Sequence, residues 1–449
     1  MFFLAEVFLL YRIMVLTRLK YPFSILIILV ICLSASAQVV PKVAFILPLS
    51  GKYSRTGMEM KTSIEIALAT LKKKSASLAF ETLFYDNCSD PDSAGELGSK
   101  LREKNEVVMW AGGFPSNCSA VIARLADEAG IPYLVISSSK DTLTKSGYKY
   151  VFRIAPPSND YNDGLVGWAI AVTQGDLPTA VLFEQDSTWQ PALDDLHEDL
   201  ESKWKGEIRY FNFPENLTDF PGLIGRLEIF KPQIIWIIGS SEKTSDFFRY
   251  CNEAQWIPSA FLLGTVGQSD SRFIDQVGKN ADLVFGPGIW EHTFNYPGVE
   301  EFNYHFRRET GMFPDYHCAE AYAAVEVIYN MFSEDSFSER VSLAEALESI
   351  DIMTIFGRVR FEDFQDYTNQ NRPMTIVLQV QDSVWRVVWP MQLGEVNYVY
   401  PVPEWRDRRK EAISRNYGNI MALLMFIITA LLLYSSTKKR RELAKRINR

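Results

Sequence analysis

Short apolar runs alternate along the chain with longer segments whose apolar residues recur at helical spacing. The run Lys42–Leu49 is almost continuously apolar, which is typical of a strand that is covered on both faces, and Leu78–Tyr85 is predicted as the next strand. Between them, Gly57–Lys72 carries its apolar residues mainly on one side, as a helix does. The alternation of strand and helix continues to Ile154 and predicts a parallel sheet with helices on both faces.

The same pattern restarts after Pro156-Pro157. Strands are predicted at Thr179–Phe183 and Ile234–Ile238, with helical segments before, between and after them. We therefore predict an α/β fold made of two doubly wound, parallel-sheet lobes with a cleft between them. Ligands of such sheets bind beyond the carboxyl ends of the strands.

A glycine turn interrupts the first series of predicted strands and helices. The apolar run Val107–Ala111 breaks at Gly112-Gly113, and an apparent helix follows after Ser119. A strand, a glycine turn and a helix start direct backbone N–H groups outward, which suits a carboxylate or another anion. Ser116 or Asn117 can cap this helix or bind such a ligand, and the sequence leaves both roles open.

The N-terminus has the pattern of a signal peptide. Arg18 and Lys20 precede the apolar centre Ile25–Leu33, and Ala35-Ser36-Ala37 forms a small-residue cleavage site. We expect residues 1–37 to be removed, with Met14 as the true start.

The C-terminal region predicts a membrane anchor. Residues 417–434 are uncharged and mostly apolar, and as a helix they would extend roughly 27 Å, enough for a thin bilayer. Residues 435–449 are strongly basic, which predicts a cytoplasmic tail. The expected protein is a single-pass membrane protein. Its large domain lies in the periplasm or extracellular space, and a linker at 401–416 leads to the membrane helix.

Charge and motif content narrow the function. The net charge of -9 argues against a nucleic-acid partner. The sequence lacks the G-x-S-x-G, H-E-x-x-H, Walker and G-x-G-x-x-G patterns, and its four histidines show no metal-ligand spacing. These observations predict a binding protein without a cofactor or metal, and not an enzyme.

The cysteines allow one disulfide prediction. Cys88 and Cys118 each follow a strand that is expected to end at the same edge of the first sheet. Disulfides are permitted outside the cytoplasm, so these two residues form a candidate bridge. Two free thiols are the alternative, because a sequence alone does not fix connectivity.

Several segments together resemble a known family, the type I periplasmic solute-binding proteins of the leucine/isoleucine/valine and amide class. The likeness runs from Lys42 to Pro390 and is carried by the order and spacing of KVAFILPLSGKYSRTG, YDNCSDP, AGIPYLVISSS, SGYKYVFRIAPP, PDYHCAEAYAA and VVWP. The resemblance implies two lobes joined by a hinge of three crossovers. The lobes close on a small ligand, often an amino acid, for delivery to an ABC permease.

The resemblance also implies lobe boundaries. The crossings would fall near Pro156, Gly288 and Ile355. The first lobe would then comprise residues 38–155 and 289–355, and the second lobe residues 156–288 and 356–400.

Candidate ligand-binding residues follow from the same likeness. Ser116 falls where relatives hold the ligand carboxylate, beside the close backbone approach at Gly113. Ser137 and Ser139 fall where relatives bind the α-carboxylate and α-amino group. Trp189 falls where an aromatic side chain of the second lobe covers the ligand.

Two positions depart from the family pattern. The acid that often pairs with the ligand ammonium is missing from Gly264–Gly267, and Gly239–Ser241 replaces an expected aromatic residue. A buried ammonium without a partner is costly. Either Glu184, Asp186 or another acid compensates, or the ligand is a carboxylate or amide other than an ordinary α-amino acid.

Two functions remain open at this level. One is a tethered solute-binding protein that serves ABC-type uptake. The other is a ligand-sensing ectodomain that acts through a partner membrane protein, because the tail from Ser435 is too short for an enzyme domain of its own.

Overall fold

The computed structural model describes residues 40–74, 78–186, 189–214, 216, 219–265, 271–333 and 340–407, together with Met425 and Thr429. The predicted signal segment, the basic tail and, apart from Met425 and Thr429, the predicted membrane helix lie outside the described residues. Within the described part, no helix has both the length and the apolar character needed to cross a bilayer.

Strands and helices alternate over most of the chain. The strands are β1 (Lys42–Leu47), β2 (Glu81–Asp86), β3 (Val107–Gly112), β4 (Tyr133–Val135), β5 (Val151–Arg153), β6 (Thr179–Phe183), β7 (Ile208–Asn212), β8 (Ile234–Ile238), β9 (Ala260–Leu263), β10 (Phe285–Gly288), β11 (Asp351–Thr354), β12 (Gly357–Arg360), β13 (Glu362–Phe364), β14 (Tyr367–Gln370), β15 (Ile376–Gln381) and β16 (Val384–Trp389). The helices are α1 (Ser54–Lys74), α2 (Pro91–Leu101), α3 (Ser116–Glu128), α4 (Thr142–Lys145), α5 (Asp163–Thr173), α6 (Gln190–Lys203), α7 (Phe220–Phe230), α8 (Ser241–Glu253), α9 (Ser271–Val277), α10 (Val299–Thr310), α11 (Tyr316–Ser333) and α12 (Arg340–Glu348).

The strands form two seven-stranded sheets and a hairpin of β11 and β12. The first sheet has the order β13-β14-β5-β4-β3-β1-β2, and the second has the order β16-β15-β10-β9-β8-β6-β7. The central strands of both sheets are parallel, with antiparallel pairs at one edge. The prediction of two parallel-sheet α/β lobes is therefore confirmed.

Strands β1 and β3 of the first sheet are buried almost throughout, as a continuous apolar run predicts, whereas β2 at the edge of the sheet is only partly buried. Every residue of β3 is buried. Helix α1 and helix α11 cover one face with a cluster that includes Ile64 and Val325. Helix α3 covers the other face with Ile122 and its neighbours.

The third crossing between the sheets falls later than the resemblance implied. Strand β14 lies beside β5, with Gln370 opposite Arg153, so residues 362–370 belong to the first sheet and not to the second lobe. The Gln370 side chain explains this placement. It accepts hydrogen bonds from Arg153 at 2.5 Å and Thr144 at 2.9 Å, and donates to the Ala155 carbonyl at 2.7 Å. The chain joins the second sheet only at β15.

Residues 401–407, expected to start a linker, pack on the second lobe instead. Val402 and Trp405 are 6% and 8% exposed. The Val402 N–H donates to the Ser259 carbonyl at 2.8 Å. The Trp405 indole donates to the Trp256 carbonyl at 2.8 Å. Burial of these apolar side chains extends the second lobe to Asp407.

Candidate ligand-binding site

The glycine turn at the end of β3 brings its own backbone close to the backbone of β1. Gly112 and Gly113 have φ angles of 145° and 105°, which side chains strongly disfavour. A Cβ atom on Gly112 would lie 2.1 Å from the Ile46 carbonyl oxygen, and one on Gly113 would lie 2.9 Å from Val135 Cγ1. Only glycine fits at these two positions without moving the neighbouring strands.

Helix α3 starts directly after this turn, earlier than the sequence indicated. Its first residue is Ser116, and Pro115 occupies the N-cap position. No side chain among the described residues caps this helix start, so the capping role left open for Ser116 and Asn117 is not realised. First-turn N–H groups therefore remain for an anion at the carboxyl edge of the sheet.

The serine run, Ser137–Ser139, follows β4 and lies at the same edge. Strand β4 is the neighbour of β3, and the Ser137 N–H donates to the Gly113 carbonyl at 3.3 Å. Ser138 points toward α3, where its hydroxyl donates to the Gly113 carbonyl at 2.7 Å and contacts the Ser119 hydroxyl at 2.5 Å. The Ser139 side chain is hydrogen-bonded to Tyr161 of the first crossing. The structure thus brings Gly113, Ser116, Ser137 and Ser139 to one edge, as predicted.

The Ser137 hydroxyl turns inward toward α11. It is hydrogen-bonded to His317 Nδ1 and to Glu320 Oε2. Glu320 is 0% exposed, and burial is the main reason why its pKa lies well above the ordinary value. Neither His317 nor Glu320 was predicted from the sequence. The available signal was a histidine and an acid three positions apart in the otherwise apolar segment of α11.

Aromatic rings line the same edge. The Phe114 ring lies 5.3 Å from the Tyr53 ring and 4.9 Å from the His317 imidazole, measured between centroids. The Tyr316 ring lies 4.0 Å from the imidazole. These rings give the edge an apolar wall beside the polar turn.

Arg153 stabilises the serine run and the residues after it through buried hydrogen bonds. Its guanidinium is completely buried and donates to the Lys140 carbonyl at 2.9 Å, the Thr144 hydroxyl at 2.8 Å and the Gln370 amide oxygen at 2.5 Å. Burial lowers the pKa of Arg153 to about 10. Sequence reasoning missed this residue because Gln370, one of its partners, lies 217 positions away in the chain.

On the second lobe, Trp189 is the residue before α6. It is partly buried and packs against the apolar cluster that contains Leu196 and Trp204. Glu184, considered as a partner for a ligand ammonium, accepts a hydrogen bond from the Ser240 N–H at 2.8 Å. It therefore braces the Gly239–Ser241 turn.

The candidate disulfide is absent from the described part of the chain. Cys88 and Cys118 are both free; the first is exposed and the second buried. Cys118 lies in the first turns of α3 within an apolar cluster that includes Ile122, and burial raises its pKa to about 11. Its inward orientation explains why the bridge does not form.

Comparison with known proteins decides the family. Residues 41–383 match the family model described as periplasmic binding protein. The chain belongs to this family. A Leu/Ile/Val-binding protein homolog 8 from Brucella melitensis biotype 1 is 21% identical over 358 residues, which cover 76% of this chain and 89% of that protein.

Solved structures of several other proteins share the fold. A putative branched-chain amino acid ABC transporter from Rhodospirillum rubrum has a TM-score of 0.66 at 20% identity, covering 78% of this chain and 100% of its own. LivJ from Streptococcus pneumoniae, in complex with isoleucine, has a TM-score of 0.63 at 16% identity, covering 81% and 100%. A solute-binding protein from R. palustris, in complex with benzoate, has a TM-score of 0.59 at 15% identity, covering 81% and 96%.

In this periplasmic binding protein, Asp141 and Asp195 interact electrostatically near Ser158, beside the first crossing. Asp141, after the serine run, accepts hydrogen bonds from the Ser158 N–H at 3.1 Å and the Ser158 hydroxyl at 2.9 Å. Asp195 on α6 approaches from the second lobe. Burial, and then the charge of Asp141, raise the pKa of Asp195 to about 7.

This raised pKa predicts a pH-dependent stability. An acid whose pKa is higher in the folded state destabilises the fold as pH rises from the unfolded value, 3.8, to about 7. Asp195→Asn should therefore change little at pH 4 but raise the free energy of unfolding at pH 8. We expect about 1–2 kcal/mol, allowing for solvent screening of this partly exposed group. Urea denaturation at both pH values measures this difference, with Asp275→Asn on the exposed surface of α9 as control. A gain of equal size at both pH values would contradict the assignment.

Proposed function

We propose that the protein captures a small amino-acid-like, carboxylate or amide ligand between its two lobes for ABC-type uptake. The observation that carries the proposal is the convergence of the uncapped start of α3 with the serine run at one carboxyl edge of the first sheet. Such an edge places N–H and O–H donors around a single anionic group. Family membership supports a role in binding rather than in chemistry.

The ligand proposal centres on a carboxylate. Isoleucine and benzoate, found in the two complexes named above, share a carboxylate and differ in the ammonium group. In this chain the helix start, the glycine turn and Ser116 supply donors for a carboxylate. The usual acid for an ammonium is missing near Gly264, and Glu184 is engaged with Ser240. We therefore expect the carboxylate contact to dominate, with Trp189 covering the ligand from the second lobe.

Ser116→Ala tests the anchor of this site. A hydrogen bond to a charged group contributes about 1.5–3 kcal/mol, so the variant should bind roughly tenfold to a hundredfold more weakly. Calorimetric titration with L-leucine, L-isoleucine, benzoate and any compound that co-purifies measures the affinity. Ser202→Ala, on the exposed surface of α6, is the control. Equal affinity in Ser116→Ala and wild type would place the carboxylate elsewhere.

We propose further that the chain is anchored by residues 417–434 and works with an ABC permease. The apolar run and the basic residues after it support the anchor. The full chain should fractionate with membranes, whereas a chain ending at Asp407 should be soluble and folded, because Val402 and Trp405 remain packed. A soluble full chain would contradict the anchor. If crosslinking captured a signalling membrane protein and no permease, the sensing function would replace uptake.

A further inference from the structure

A buried chain of three polar side chains lies behind the serine run. Ser137 and Glu320 are 5% and 0% exposed, and the His317 side chain is 15% exposed. The Ser137 hydroxyl is hydrogen-bonded on one side to His317 Nδ1 and on the other to Glu320 Oε2. A hydroxyl has a single proton, so Ser137 donates one of these bonds and accepts the other.

The position of each proton follows from counting donors. Burial opposes a net charge on this cluster, and it raises the pKa of Glu320. In a neutral cluster the carboxyl, the hydroxyl and the imidazole hold three exchangeable protons. Two of them occupy the two hydrogen bonds through Ser137. Glu320 Oε1 has no partner among the residues that the structure describes, so a proton there would be a buried donor without an acceptor.

The third proton therefore lies on His317 Nε2. If Glu320 keeps its proton, the carboxyl donates to Ser137, and Ser137 donates to Nδ1. If that proton moves along the chain to the imidazole, Ser137 donates to the carboxylate, and His317 carries protons on both nitrogens. Both arrangements leave Nε2 as a donor.

The imidazole lies beside the proposed carboxylate site. His317 is in the first turn of α11, and its ring packs against Phe114, the residue after Gly113. The other titratable groups that face Glu320 are Asp315 at the start of α11 and Tyr161 in the first crossing. A histidine donor here would add to those of the glycine turn.

We propose that His317 is a further ligand-binding residue whose Nε2–H donates to the ligand carboxylate, and that Glu320, acting through Ser137, is the positioning residue that fixes this proton arrangement. The inference rests on the proposed function and narrows it to ligands with a carboxylate. A proton shift from Glu320 to His317 makes the contact charge-assisted, which favours an acid over its neutral amide.

The tautomer of His317 tests the proton arrangement without any ligand. Full-length protein with ¹⁵N-labelled histidine should show His317 protonated at Nε2, with its signals assigned by their loss in His317→Phe. Glu320→Gln retains an N–H that donates to Ser137 and should keep this state. Glu320→Met removes the donor and should shift the population toward the Nδ1–H form. A bare Nε2 in the wild type would overturn the inference.

Binding measurements test the proposed roles of His317 and Glu320 in ligand binding. L-leucine, L-isoleucine, benzoate and their primary amides are titrated into each full-length variant. His317→Phe should weaken carboxylate binding about tenfold to a hundredfold and amide binding less. Glu320→Met should weaken it similarly, and Glu320→Gln should restore it. If Glu320→Met does not fold, the affinity of His317→Phe and the His317 tautomer of the wild type still test the proposal.

Two matched controls accompany these variants. His292→Phe replaces a histidine that also stacks on an aromatic ring, Phe313 at 4.0 Å. Glu326→Met removes another carboxyl of α11, which is partly buried and accepts from the Ile355 N–H at 3.0 Å. Both should retain wild-type affinity. Unchanged affinity in His317→Phe, with binding still lost in Ser116→Ala, would overturn this inference alone. If no probe bound the wild type, the proposed function would fail, and the tautomer would still decide the proton arrangement.

Discussion

Gly112→Ala is expected to abolish measurable ligand binding and to lower the free energy of unfolding. The added methyl group would lie 2.1 Å from the Ile46 carbonyl oxygen, at a φ of 145°. The obstacle is the backbone of β1, a central strand that cannot move without disturbing the sheet. Strain and overpacking together should cost about 2–4 kcal/mol. Urea denaturation measures the stability, and calorimetric titration measures the binding.

Gly147→Ala separates the effect of backbone strain from the effect of the clash with β1. Gly147 also has a positive φ, 72°, but no described atom lies within 4 Å of the position of its Cβ. Its substitution should cost only about 1 kcal/mol, from backbone strain, and should leave binding intact. Similar losses in the two variants would show that the contact with β1 is not the reason for glycine at position 112.

Arg153→Met is expected to have the second large effect. Methionine fills much of the same volume but removes the guanidinium hydrogen bonds to the Lys140 carbonyl, the Thr144 hydroxyl and the Gln370 amide oxygen. The Lys140 carbonyl keeps the Leu143 N–H as a donor, and the Gln370 amide oxygen keeps the Thr144 hydroxyl. A hydrogen bond from a charged group contributes about 1.5–3 kcal/mol, so we expect a total loss of about 3–5 kcal/mol. Because Lys140 follows the serine run directly, ligand binding should weaken as well.

Arg358→Met provides the comparison for an exposed arginine. Arg358 pairs with Asp351 at 2.6 Å, but its side chain is 61% exposed. Such surface pairs contribute about 0–1 kcal/mol. Denaturation of both variants under the same conditions measures the difference. If Arg153→Met were as mild as Arg358→Met, the buried network would not support the serine run.

The central sheets were predictable from local pattern, because strands covered on both faces must be continuously apolar. The edge strands were not. Strand β14 contains Thr368 and Asn369, and its place beside β5 depends on Gln370 meeting Arg153, 217 positions earlier. The burial of Trp405 against the second lobe likewise depends on a distant partner, the Trp256 carbonyl. Hydrophobic periodicity carries no information on such pairings.

The candidate site was predictable in position but not in orientation. Parallel strands β3 and β4 bring Gly113 and Ser137 to one edge, which follows from the fold class alone. Which hydroxyl turns toward α11 depends on the register of the strand, since successive side chains alternate between faces. Glu320 lies 183 positions from Ser137. Its role emerged only when the fold brought the two together.

Hydrogen exchange of the wild-type protein with and without its tightest-binding carboxylate tests the central claim most directly. A ligand held between the lobes should slow exchange at residues 112–119 and 137–141 of the first lobe and at residues 239–244 of the second lobe. The same ligand should give no protection in Gly112→Ala. Protection confined to one lobe, or protection that leaves the glycine turn and the serine run unchanged, would contradict the account.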